Sequence, residues 1–177
     1  LMNISGSTFI GNESEGYNGG GAIFGDFSSI SVSNSTFRGN VAAEGDGGAI
    51  LAQYGPLSIQ SSAITGNASV EDGGGVYTRY TDSSTASVLI ENSLISGNTA
   101  AESYGGAYLG QRLASQVVRG TTVTGNTAGE DGGGIGAWNV GPLTIENSTI
   151  TGNSAAERGG GAYIRNDEAT GAATIAS

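Results

Sequence analysis

Ser148-Thr149-Ile150-Thr151-Gly152-Asn153 is followed, seven residues after its asparagine, by Gly160-Gly161-Ala162-Tyr163-Ile164. The same two phrases occur six times. The Gly-Asn pair ends at Asn12, Asn40, Asn67, Asn98, Asn126 and Asn153, with gaps of 28, 27, 31, 28 and 27 residues. A glycine pair follows each: Gly20-Gly21, Gly47-Gly48, Gly74-Gly75, Gly105-Gly106, Gly133-Gly134 and Gly160-Gly161. A fixed period in this range is the mark of a solenoid, in which each unit packs mainly on its neighbours.

Counting from each asparagine splits the repeat into three short strands. Ten and eight residues before it stand Met2/Ile4, Ile30/Val32, Leu57/Ile59, Val88/Ile90, Gln116/Val118 and Leu143/Ile145, with mostly polar residues between. That alternation is a strand with one buried face, and Gln116 is its single polar break. Three before the asparagine is an apolar column, Phe9, Phe37, Ile64, Ile95, Val123 and Ile150. Five before it is a hydroxyl column, Ser7, Ser35, Ser62, Ser93, Thr121 and Ser148. The third strand follows the glycines. Counting places Ala22, Ala49, Val76, Ala107, Ile135 and Ala162 inward, with Phe24, Leu51, Thr78, Leu109, Ala137 and Ile164 two residues on. Three strands in about 28 residues, in constant register, suit an all-β, right-handed, single-stranded parallel β-helix of about six coils. Coils stacked about 4.8 Å apart would span about 29 Å. The whole of 1–177 reads as a single β-helix domain. The asparagines would form a structural ladder inside a bend. Turns are expected at Asp26-Phe27-Ser28, Gln53-Tyr54-Gly55-Pro56, Tyr80-Thr81-Asp82-Ser83-Ser84-Thr85, Gly110-Gln111-Arg112 and Asn139-Val140-Gly141-Pro142.

Composition narrows the task. Net charge is −10, with six arginines and no lysine or histidine, so a nucleic-acid partner is not expected. No apolar run reaches the length of a membrane span. No cysteine is present, which removes disulfides and thiolate metal sites. Ala173-Thr174-Ile175 is in phase with Met2-Asn3-Ile4, as though a seventh coil were beginning. A fragment of a longer β-helix, or an uncapped unit stacking head to tail, is the expectation.

Phe9-Ile10-Gly11-Asn12 and Phe37-Arg38-Gly39-Asn40, with Gly20-Gly21-Ala22-Ile23 and Gly47-Gly48-Ala49-Ile50, resemble the FxxN and GGAI phrases of the chlamydial-type polymorphic outer-membrane protein repeat. The later four coils keep the asparagine and glycine pair and replace Phe by Ile or Val. The chain is also similar to the Asn-Ser-Thr-Ile-x-Gly-Asn repeats of large bacterial extracellular β-helix proteins. The resemblance implies a surface-exposed or secreted β-solenoid with an adhesive role.

Several columns could carry function. Glu44, Glu71, Glu102, Glu130 and Glu157 lie four after the last five asparagines, with Asp46, Asp72 and Asp131 close behind. Stacked carboxylates repel, so an ordered column would want Ca²⁺, or would be splayed into water. Ile23, Ile50, Tyr77, Tyr108, Gly136 and Tyr163 form a stripe expected to point outward, where Tyr77, Tyr108 and Tyr163 could meet a glycan or a host-surface partner. Thr8, Thr36, Thr122, Thr124, Thr149 and Thr151 sketch a flat threonine face of the kind that binds ice, broken by Ile10, Arg38 and Leu94. Glu91, Arg119 and Glu146 read as a charge ladder that fixes register. The sequons at Asn3, Asn12, Asn34, Asn67 and Asn147 mostly coincide with the repeat phrase.

Catalysis is not expected. Lyase chemistry on acidic sugars needs a strong base beside cation-holding carboxylates, and hydrolysis needs converging carboxylates. Only Arg158, near Glu130, Asp131 and Glu157, resembles such a cluster. The leading reading is an extracellular structural or adhesive β-solenoid: stalk, adhesin passenger or self-stacking filament subunit. Carbohydrate binding or cleavage is the alternative, and ice binding the third.

Overall fold

The computed structural model describes residues 1–79, 86–110, 113–138, 142–166 and 172–176. The expected turns at 80–85, 111–112 and 139–141 fall outside them. The described residues form a parallel β-solenoid without helices, its strands in four sheets that run the length of the stack. The first sheet has seven strands: Met2–Ser5, Ile30–Ser33, Leu57–Gln60, Ser87–Glu91, Ser115–Arg119, Leu143–Glu146 and Ala173–Ala176. The second sheet runs from Thr8–Ile10 through Thr36–Arg38, Ala63–Thr65, Leu94–Ser96 and Thr122–Thr124 to Thr149–Thr151. The fourth runs from Ile23–Asp26 through Ile50–Gln53, Val76–Arg79, Ala107–Leu109 and Ile135–Trp138 to Ala162–Arg165. These are the three expected strands. A two-residue strand after each asparagine, such as Thr99–Ala100, builds the remaining sheet.

The interior is one continuous apolar cluster. Ile30, Leu57, Val88 and Leu143 stack in one inward column of the first sheet, and Val32, Ile59, Ile90, Val118 and Ile145 in the other. Phe9 and Phe37 stack in the second sheet with ring centroids 4.7 Å apart. Gln116 occupies a place between Val88 and Leu143 in that first column, fully buried, with neither end of its amide hydrogen-bonded.

Two side-chain ladders lock the corners around the second sheet. Each interior asparagine Oδ1 accepts from the backbone N–H and the Nδ2 of the asparagine one coil earlier; for Asn98 both distances to Asn67 are 2.9 Å. Its own Nδ2 donates to the Ile64 carbonyl at 3.0 Å and to Asn126 Oδ1 at 2.9 Å. The amide is thus saturated while buried, which is the condition for burying it cheaply. At the other corner the hydroxyl column does similar work. Ser93 Oγ accepts from the Ser62 N–H at 3.1 Å and donates to the Glu91 carbonyl at 2.8 Å. The preceding residues Asn34, Ser61, Asn92 and Asn147 are left-handed, with φ near +48°, as are Gly6 and Gly120. They turn the chain from the first sheet to the second.

The glycine pair has a steric cause. A Cβ on Gly21, Gly48, Gly74, Gly105 or Gly133 would stand 2.1–2.7 Å from backbone carbonyl oxygens of the neighbouring coil or turn. Only glycine admits that approach.

The third strand corrects the count from the asparagines. Ile23 pairs with Ile50 and Ile50 with Val76, so the inward column is Ile23, Ile50, Val76, Ala107, Ile135, Ala162. The first two coils sit one residue further along than counting puts them. The outward column is therefore Phe24, Leu51, Tyr77, Tyr108, Gly136, Tyr163.

Candidate functional site

The fourth sheet and the turn that feeds it carry most of the chain's chemical variety. The turn column reads Gly19, Asp46, Asp72, Ser103, Asp131, Arg158, and the next reads Gly20, Gly47, Gly73, Tyr104, Gly132, Gly159, aligned by coil-to-coil backbone bonds. All six residues of that second column have φ between +65° and +69°, Tyr104 at +66°. A tyrosine in a left-handed position otherwise held by glycine is strained, and needs surroundings that hold it there.

Those surroundings are aromatic. Tyr77 and Tyr108 stack at 4.8 Å, and Tyr104 lies on the same Tyr108 ring at 4.4 Å. In the next coil the outward column has Gly136, where a Cβ would lie 1.7 Å from Tyr104 Cδ1. Tyr104 therefore fills from the turn the gap that Gly136 leaves in the ladder. Tyr163 continues the column beyond, with the Arg158 guanidinium 5.0 Å from its ring centre. Arg165 sits at the same 5.0 Å over Trp138.

The tyrosine stripe faces outward, as expected, yet it is not an open surface. Tyr108 and Leu51 are buried outside the core cluster, while Tyr77 and Tyr163 are half-buried. Ile23 and Ile50 do not belong to the stripe at all but point into the core.

The acidic columns also differ from a calcium ladder. Glu71, Glu102, Glu130 and Glu157 align, whereas Glu44 falls out of register because the second coil carries an additional residue ahead of Asp46. The aspartates serve the backbone. Asp46 Oδ1 accepts the Asp72 N–H at 3.1 Å, and Asp72 Oδ1 the Ser103 N–H at 2.9 Å. Asp46 also pairs with Arg79, and Asp131 holds Arg158 through two bonds of 2.9 and 2.7 Å. Among the described residues no three acidic side chains converge to hold a metal ion. Among the described residues no arginine pairs with Asp72, and burial pushes its carboxyl up to about 7, with Asp46, Glu102 and Glu130 adding repulsion against the Ser103 bond. Burial likewise raises Asp46 and Glu71, against the pull of Arg79.

The charge ladder forms as expected. Arg119 Nε donates to Glu91 Oε1 at 2.9 Å, a nitrogen of the same guanidinium lies 3.5 Å from Glu146, and Gln60 Nε2 donates to the other Glu91 oxygen at 2.8 Å. Threonines 122/149 and 124/151 stand side by side on the second sheet, with Leu94 and Arg38 interrupting the face.

Two concavities stand out. One is a groove of about 680 Å³ along the left-handed corner, between Asn34 and Thr122. The other is a recess of about 240 Å³ over the fourth sheet, bounded by Tyr104, Tyr163 and Trp138 with Glu102, Glu130 and Arg158. Counting along the sequence brings Glu130, Asp131 and Arg158 together but passes over Tyr104, Trp138 and Arg165. The available signal was Ser103-Tyr104 in place of an acidic residue and glycine, with Gly136 breaking the tyrosine column.

A regular parallel solenoid with saturated corner ladders is the class of molecule this architecture defines. Residues 34–53 match the Chlamydia polymorphic membrane protein repeat, so the chain is a β-helix containing a repeat of polymorphic-membrane-protein type. That family is associated with the outer membrane and cell surface. No curated protein and no solved structure matches the chain.

Proposed function

We propose that the chain is a surface-displayed β-solenoid that acts as a rigid adhesive stalk outside the cell. The observation that carries this reading is the repeat match at 34–53, lying on a stack whose core and ladders run through every coil. Uniform coils make a rod, and the variable outer face of the fourth sheet gives the rod something to present. The axial neighbour we propose is the rest of a longer β-helix or a second copy. Binding and not turnover is the proposed task. Arg158, the base that cleavage of an acidic sugar would need, is clamped as a cation by Asp131, which raises its pKa further.

The test is labelling of intact source cells with an antibody raised against the purified chain. Labelling without permeabilisation, lost after brief external proteolysis, is the expected result. Signal that appears only after the cells are opened would overturn the proposal.

A further inference from the structure

We propose that the recess over the fourth sheet binds a single uncharged hexopyranose residue of a glycan. This rests on the adhesive half of the reading above and supplies its ligand. The corner groove is larger, but its innermost hydroxyls, Ser35, Ser62 and Ser93, each accept a backbone N–H and donate to a carbonyl, and no aromatic ring lines it. The recess is different in kind. At about 240 Å³ it is smaller than the about 300–1,000 Å³ of sites for drug-sized molecules, and suits one ring.

Its chemistry matches a pyranose. Tyr163 and Trp138 are half-buried, each with an arginine over one face, and supply aromatic surface beside it for sugar C–H groups, while the buried Tyr104 lines the recess between them. Glu102 and Glu130 supply acceptors for hydroxyl donors. Arg158 carries more N–H groups than Asp131 takes, and these serve as donors to hydroxyl oxygens. The parts are held in advance: Tyr104 is locked between Tyr108 and Gly136, and Arg158 is fixed by its two-bond grip on Asp131. Preorganisation of this kind lowers the cost of binding. The lining carboxylates Asp72, Glu102, Glu130 and Asp131 outnumber the guanidinium groups of Arg158 and Arg165, so an acidic sugar is disfavoured. The arginines over Tyr163 and Trp138 in turn occupy the cation–π positions that an organic cation would seek.

Trp138 is the only tryptophan in the chain, so its emission reports on the recess. Purified full chain would be titrated with methyl glycosides of glucose, galactose, mannose and N-acetylglucosamine, with methyl glucuronide and methylamine as charged controls. The expected result is a saturable emission change with at least one neutral glycoside, accompanied by saturation transfer from the aromatic protons. Tyr163→Ala and Glu102→Gln are each expected to weaken it at least tenfold. Glu102 is exposed, so its replacement leaves the fold intact should the tyrosine variant unfold. No saturable change with any neutral glycoside would overturn the proposal. So would equal binding by the Glu102→Gln chain, or binding of the charged controls alone. Because the titration uses isolated protein, a negative result leaves cell-surface display standing, and a failure of surface labelling leaves the recess standing.

Discussion

The asparagine corner and the glycine turn lie side by side in each coil, a two-residue strand apart, and treat their side chains oppositely. At the asparagine corner every coil spends the same residue on the same bonds, so that Asn40, Asn67, Asn98 and Asn126 are interchangeable. At the glycine turn each coil finds its own solution: Asp46 pairs with Arg79, Asp72 has a raised carboxyl, Ser103 uses a hydroxyl, and Asp131 takes Arg158. The ladders even run in opposite senses. The asparagine oxygens accept from the coil before, whereas the aspartate oxygens accept from the coil after. Identity marks the corner that holds the stack together, and variation marks the face proposed for recognition.

The comparison can be broken hardest at the corner. Asn98→Ala removes a buried amide with partners in the coils on either side, and leaves the buried Asn67 N–H without its acceptor. A loss of about 3–5 kcal/mol is expected in urea unfolding. A change below about 1 kcal/mol would mean that water replaces the ladder. Next comes Gln116→Leu, which substitutes an apolar residue for an unbonded amide in the interior column. A gain of about 1–3 kcal/mol is expected; destabilisation would reveal a buried partner for that amide.

The glycine turn is probed by pH. Asp72 has a folded pKa of about 7 against about 4 when unfolded. Between those values the folded chain binds more protons than the unfolded one, so stability falls as pH rises from about 4 to about 7. The slope from Asp46 and Glu71, also raised, has the same sign. Asp72→Asn keeps an acceptor for Ser103 and should flatten the profile in that window; an unchanged profile would assign the slope elsewhere. The smallest effect is expected at Arg119→Ala. Its pair with Glu91 is solvent-exposed, so a shift in midpoint should appear only at low salt and vanish at high salt.

The fold was legible because its determinants repeat. Asn98 and Ser93 recur with one spacing, and a period survives a single odd residue such as Gln116. The third strand was less legible in the first two coils. Gly73-Gly74-Gly75 aligns with Gly47-Gly48-Ala49 in the structure, but a run of glycines carries no register of its own, and counting from Asn40 slips by one. Strand pairing decides the matter because a one-residue slip would turn Ile50 out of the core. The recess was largely hidden for a different reason. It depends on Tyr104 crossing from the turn into the place vacated by Gly136, and a column-by-column reading cannot see a side chain that fills another coil's gap.

The hydrogen bonds between successive coils lie along the axis of the rod, and this sets its behaviour under tension. Pulled from its ends, the stack is loaded bond by bond at the outermost coil and peels instead of shearing as a block. Each peeled coil gives up about 4.8 Å of stacked height and releases a 28-residue span that extends to roughly 95 Å. Each surrendered coil would itself lengthen about twentyfold and add roughly 90 Å to an attachment through such a rod. It would absorb a sudden pull while the remaining coils kept their ladders.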